Sequence, residues 1–111
     1  MTKAKKAKVR KSSGNVFADL GLSNADELLA KSGLVHRIAQ VIEQRKLTQT
    51  KAANLLGIDQ PKISNLLRGR LDGFSTERLF RFLIALGQDI EIIVKENEHS
   101  DRPAELRVMA A

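Results

Sequence analysis

The stretch from Thr48 to Gly69, TQTKAANLLGIDQPKISNLLRG, admits very few folds. Ala52, Leu56, Ile58, Ile63 and Leu66 recur at helical spacing on both sides of Gly57, so two short helices with facing apolar stripes are expected. Gly57 falls where the chain must turn sharply, a position that wants a residue tolerant of positive φ. Ala53 is small where the first helix must come close to the second. Thr48 and Asp59 stand at the two N-cap positions, and Pro61 lies in a first turn, where a missing N–H costs little. Gln60, Lys62, Ser64 and Asn65 then occupy the front of the second helix, where a recognition helix meets base edges. The segment reads as a helix-turn-helix that enters DNA. The bland alternative is two core helices that share this spacing.

Charge supports the DNA reading. The 111-residue chain carries a net +6, and Lys3, Lys5, Lys6, Lys8, Arg10 and Lys11 hold six positive charges within the first fourteen residues. The rest is balanced, with thirteen basic and thirteen acidic residues. Inside that neutral body, residues 45–70 hold Arg45, Lys46, Lys51, Lys62, Arg68 and Arg70 against Asp59 alone, a local +5. Acids gather instead toward the C-terminus, at Asp89, Glu91, Glu96, Glu98, Asp101 and Glu105. Such a separation suits a polyanionic partner.

Composition closes several other routes. No cysteine is present, which excludes a disulfide framework and a Cys-ligated zinc finger. Aromatics amount to four Phe, few for a surface that stacks single-stranded bases. His36 and His99 have no second ligand at metal spacing and read as ordinary surface or half-buried imidazoles, so no metal or other cofactor is expected. No nucleophile–base arrangement or phosphate-cradling glycine loop occurs, and no enzyme is expected. No apolar run spans a membrane and no signal peptide is evident, in keeping with a cytoplasmic, nucleoid-associated protein.

Three parts are expected. Residues 1–14 form a disordered basic arm, either a solubilising tail or an arm that follows phosphates or a minor groove. Residues 15–96 form one mainly α domain, and residues 97–111 a polar tail with at most one helical turn. Within the domain, Asn15 to Leu22 is an apolar lead-in and Ser23 with Asp26 resembles a capping box. A helix runs from there to about Lys46 on the stripe Leu28, Leu34, Val35, Ile38, Val41 and Ile42, with a kink or break at Gly33. After the two central helices, Asp72-Gly73 marks a turn. Ser75 and Glu77 open a fourth helix with the stripe Leu79, Phe82, Leu83 and Leu86, closed by Gly87.

From Asp89 to Lys95 the period changes to two, as Ile90, Ile92 and Val94 alternate with charged residues and Ile93. No second strand is evident, so this one needs a partner from elsewhere. The simplest is the same strand of a second copy, which would place Ile90, Ile92, Ile93 and Val94 in a dimer seam. The alternative is a short extension lying on the helices.

The candidate DNA-binding residues divide by chemistry. Gln60 suits bidentate pairing with adenine, and Asn65, one turn further along the same face, also suits a base. Gln49 at the start of the second helix would set its amide and nearby backbone N–H groups against a phosphate. Lys51, Lys62, Arg68 and Arg70 suit phosphate contacts, which position the protein without reading sequence.

Gln49, Ala53, Gly57-Ile58, Gln60, Ile63-Ser64 and Gly69 resemble the Xre/Cro-type helix-turn-helix of phage repressors. The surrounding SGNVFADLGL at Ser13–Leu22, LRGR at Leu67–Arg70, FSTERL at Phe74–Leu79 and LGQDIEI at Leu86–Ile92 resemble the small Xre-family regulators of the HigA antitoxin type, over roughly residues 13 to 95. The resemblance implies a lambda-repressor-like domain that acts as a sequence-specific repressor. It implies a phosphate contact by Gln49, base contacts by Gln60 and Asn65, and backbone contacts by Arg68 and Arg70. It also implies a homodimer on a palindromic operator, autoregulation of a toxin–antitoxin operon and a RelE-like toxin partner. A stand-alone repressor is the alternative, and non-specific nucleoid binding through the arm a third. Pro61 departs from the polar residue common at its position and offers only apolar contact, such as to a thymine methyl.

Overall fold

The computed structural model describes residues 24–110. The basic arm, the Asn15 to Leu22 lead-in and the Ser23 cap lie outside the described residues. Four helices occur within them: α1 (Asn24–Gln44), α2 (Gln49–Leu56), α3 (Gln60–Leu67) and α4 (Thr76–Ala85). α3 packs chiefly on α2 and α1 on α4, while contacts between α1 and α3 and between α2 and α4 close the bundle.

α1 runs unbroken through Gly33 and stops at Gln44. Asp26 and Glu27 sit in its first turn, where they favour the helix dipole, and Glu27 pairs with Lys31 one turn on at 3.3 Å. Its buried stripe is Ala30, Leu34, Val35, Ile38, Val41 and Ile42. Leu28, expected on that stripe, is 53% exposed. It precedes Ala30 by two residues, about 200° around a helix, so Ala30 and not Leu28 faces inward.

The expected stripes of the other helices are buried: Ala52, Ala53 and Leu56 on α2, Ile63 and Leu66 on α3, and Leu79, Phe82, Leu83 with Leu86 on α4. Ile58 is half-buried against the same core. Ile38, Ile63, Leu66, Leu79, Leu86 and Val41 form its fully enclosed centre. Leu71 and Phe74 are also buried, so the loop after α3 is anchored at two points, and Phe74 meets Phe82 edge to face at 6.1 Å.

The caps explain why these helices are short. Thr48 Oγ1, Asp59 Oδ1 and Ser75 Oγ accept the amides of Lys51, Lys62 and Arg78 at 3.1, 3.0 and 3.1 Å. Every helix ends on a residue in the left-handed region, followed by an amide that donates back to a carbonyl five residues earlier. These bonds run from Leu47 to Ile42, Ile58 to Ala53, Arg70 to Asn65 and Gln88 to Leu83. Three of the left-handed residues are glycines, and the fourth is Lys46 at φ 55°.

No strand occurs among the described residues. Residues 88–99 form no regular element: Ile90 is half-buried on the core, whereas Ile92, Ile93 and Val94 are 76–90% exposed. An isolated chain offers this segment no strand to pair with. The tail holds a single turn at residues 100–101 and no helix, and it returns to α1, where Val108 lies so close to Gly33 that a Cβ there would meet it at 3.0 Å.

The caps predict a contrast. A side chain at Gly57 would meet nothing within 4 Å, yet φ is +74°. Gly57→Ala should therefore cost about 1 kcal/mol, purely conformational in origin. Lys46→Gly, which relieves the one non-glycine left-handed residue, should stabilise by up to about 1 kcal/mol. Urea denaturation of the two variants measures both signs.

Candidate nucleic-acid interface

The turn between α2 and α3 sets the angle of the outer helix. Gly57, at φ 74° and ψ 29°, stops α2, and both its own amide and that of Ile58 turn back to the carbonyl of Ala53. Asp59 then opens α3 within two residues. With Ala52 and Ala53 buried on α2, no bulk separates the two helices.

α3 buries Ile63 and Leu66 and turns the rest of its circumference outward. Gln60, Pro61, Lys62 and Arg68 are exposed, and Ser64 and Asn65 are half-buried. The grouping differs from expectation in one respect. Five residues advance a helix by about 140° beyond a full turn, so Asn65 does not share the face of Gln60. Pro61 and Arg68 lie at the centre of the outward face, and the half-buried Ser64 and Asn65 flank it at about 50° on either side, Ser64 on the side of Gln60. Gln60 instead stands at the very tip of α3, projecting from its first position.

Along residues 45–70 the positive charge is unneutralised. Arg45, Lys46, Lys51, Lys62, Arg68 and Arg70 are all exposed, and none has an ion-pair partner among the described residues. Asp59, the sole acid of the segment, accepts the Lys62 amide and so spends its charge on the N-terminus of α3. At the start of α2, Gln49 and Lys51 are exposed. Thr48 takes the amide of Lys51, which leaves the amides of Gln49 and Thr50 without an intrahelical acceptor. The site thus joins an outward helix face carrying amides and a hydroxyl, a rim of cations and a free helix N-terminus. That inventory can hold phosphates and read base edges; it holds no reacting group.

One residue escaped the sequence reading. Arg78 on α4 donates from Nη1 to the carbonyl of Gly73 at 3.2 Å, and its guanidinium lies 5.2 Å from the Phe74 ring centre and 5.6 Å from that of Phe82. It thereby clamps the loop that follows Arg68 and Arg70. The spacing Phe74, Arg78, Phe82, with four residues at each step, was the available signal. The candidate seam residues Ile90, Ile92, Ile93 and Val94 lie beyond α4 and take no part in this face.

Comparison with known proteins adds an independent line. Residues 16–95 match the model of a helix-turn-helix domain family. A solved structure described as an XRE family transcriptional regulator is 42% identical, covers 80% of this chain and 100% of its own, and superposes with a TM-score of 0.76. No curated protein is significantly similar to the chain.

Removing the clamp should release the loop before it harms the bundle. Arg78→Ala is expected to cost about 1–2 kcal/mol, from a lost hydrogen bond and cation–π contacts. Amide exchange should accelerate at residues 70–74 more than in α1. Uniform acceleration throughout the domain would show that Arg78 supports the core and not the loop.

Proposed function

The chain belongs to the helix-turn-helix domain family, and from that premise we propose that it is an Xre-type, DNA-binding transcriptional regulator with a lambda-repressor-like fold, not an enzyme. It represses by occupying a palindromic operator as a homodimer, with two α3 helices roughly 34 Å apart, one turn of B-DNA. The observation that carries this reading is the outward face of α3, with the exposed cations Lys62, Arg68 and Arg70 on it or just beyond it and Lys51 on α2, none of them with an acidic partner among the described residues. No helix of the described residues is long and apolar enough to cross a membrane, and repression places the protein with the chromosome in the cytoplasm.

Roles follow from position. Gln60 at the tip of α3 and Asn65 on one side of its outer face read bases; Ser64 and Pro61 contribute a hydroxyl and an apolar contact beside them. Gln49 and the free amides of α2 hold one phosphate, while Lys51, Lys62, Arg68 and Arg70 hold others. The +6 of the whole chain adds non-specific attraction, much of it from the arm.

The finer role is that of an antitoxin of the HigA type, autoregulating its own operon and neutralising a RelE-like ribonuclease. Its support is the acidic C-terminal third, whose exposed Glu91, Glu96, Glu98, Asp101 and Glu105 suit a basic partner. Co-expression with the product of an adjacent small reading frame should give a co-purifying, inactive complex. Failure to bind or inhibit it leaves a stand-alone repressor.

Selection of bound DNA from a random pool should return a palindrome. Gln60→Ala and Asn65→Ala should each lower the ratio of specific to non-specific affinity by about 1–3 kcal/mol. Arg68→Ala should weaken all sequences alike and flatten the salt dependence by about one unit of slope. An unchanged sequence preference in both amide variants would overturn the base-reading roles.

A further inference from the structure

We infer that the segment from Asp89 to Lys95 joins two copies of this chain in one antiparallel register, with Ile92 facing Ile92 of the partner subunit on the two-fold axis. This rests on the dimer of the proposed function and names the surface that forms it.

The root of the segment is fixed. The Gln88 amide donates to Leu83 O at 2.9 Å, and its side-chain Oε1 accepts from Arg37 Nη2, on α1, at 2.9 Å. Ile90 then packs beside Phe80, Ile84 and Ala85, leaving an open apolar groove of about 450 Å³ on the outer side of α4. Ile84 on its wall is 58% exposed, and the following Ile92, Ile93 and Val94 are more exposed still. Exposed apolar side chains on the groove wall and along the segment that leaves it, with no strand beside it among the described residues, form a surface that wants covering.

Self-complementarity identifies the cover. A two-fold axis through an antiparallel pair requires one residue to face its own copy. With Ile92 in that position, Ile90 faces Val94 of the partner subunit and Val94 faces the partner's Ile90, so one face is wholly apolar. On the other face, Asp89 meets Lys95 of the partner subunit at both ends, and between them Glu91 faces Ile93 of the partner subunit. Moving the axis to Ile93 pairs Glu91 with the partner's Lys95 but sets the partner's Glu96 against Ile90, beside the apolar groove of Phe80 and Ile84. Moving it to Glu91 sets two glutamates together. Ile90 already turns toward α4, so the partner's Val94 beside it reaches the groove between Phe80 and Ile84.

The full chain contains no cysteine, which makes a unique probe possible. Directly opposed residues have Cα atoms about 4.5–5.5 Å apart, within disulfide reach, whereas copies of residue 90 or 94 sit four residues out of step. Ile92→Cys alone should therefore oxidise to a covalent dimer, and Ile90→Cys or Val94→Cys alone should not. Independently, Asp89→Lys and Lys95→Asp should each raise the dimer dissociation constant about tenfold in sedimentation equilibrium, since each replaces two attractive pairs by two repulsive ones. The double variant should restore it to within about threefold. A dimer that ignores both charge changes, or cross-links through Ile90→Cys or Val94→Cys, overturns this register and leaves the dimer standing. A chain that stays monomeric at concentrations where it binds its selected DNA overturns the seam and the dimer together, while operator selection judges the DNA-binding role separately.

Discussion

Whatever α3 presents outward depends on Ile63 and Leu66, both fully enclosed, being held on the same side of an eight-residue helix. A helix this short has little stability of its own, because nucleation costs more than two turns of hydrogen bonds return. Its order is borrowed from α2 through the tight turn at Gly57 and from α1 through the core that Ile63 and Leu66 share with it. Two buried residues thus fix the rotation of the helix, and rotation decides which side chains face away. Orientation of the candidate interface and integrity of the core are one constraint.

Much of this was legible beforehand because the signals were local. A cap, a left-handed turn residue and a 3.6-residue stripe each act over a few positions, and α2, α3 and α4 carry all three. Failures arose where a choice depended on something farther away. Leu28 and Ala30 are both apolar, and only the direction of the bundle decides which one faces it. Gly33 looked like a break because its propensity is poor, yet packing of residues 34–42 carries α1 through it. The face shared by Gln60 and Asn65 was misjudged by one residue of spacing, a purely geometric slip. Arg78 went unnoticed because a cation next to aromatic rings resembles any exposed charge until the loop closes over it.

The segment after α4 illustrates a different boundary. Its alternation is clear, but a strand is defined by its neighbour, and within one chain residues 89–95 have none. What sequence supplies there is a pattern of complementarity: apolar residues on one face and opposite charges at the two ends. The bundle supplies the position of one end, through Gln88 and Arg37.

The contact of Val108 with Gly33 ties together two parts of the molecule that are weak for different reasons. A glycine inside α1 gives up about 1 kcal/mol of helical propensity relative to alanine, and a tail held at few points is easily released. Each supports the other at the single place where no side chain intervenes. Fraying of the first half of α1 and detachment of the C-terminal end are therefore thermodynamically linked events. Anything that captures the tail draws on the order of a helix more than seventy positions away in sequence.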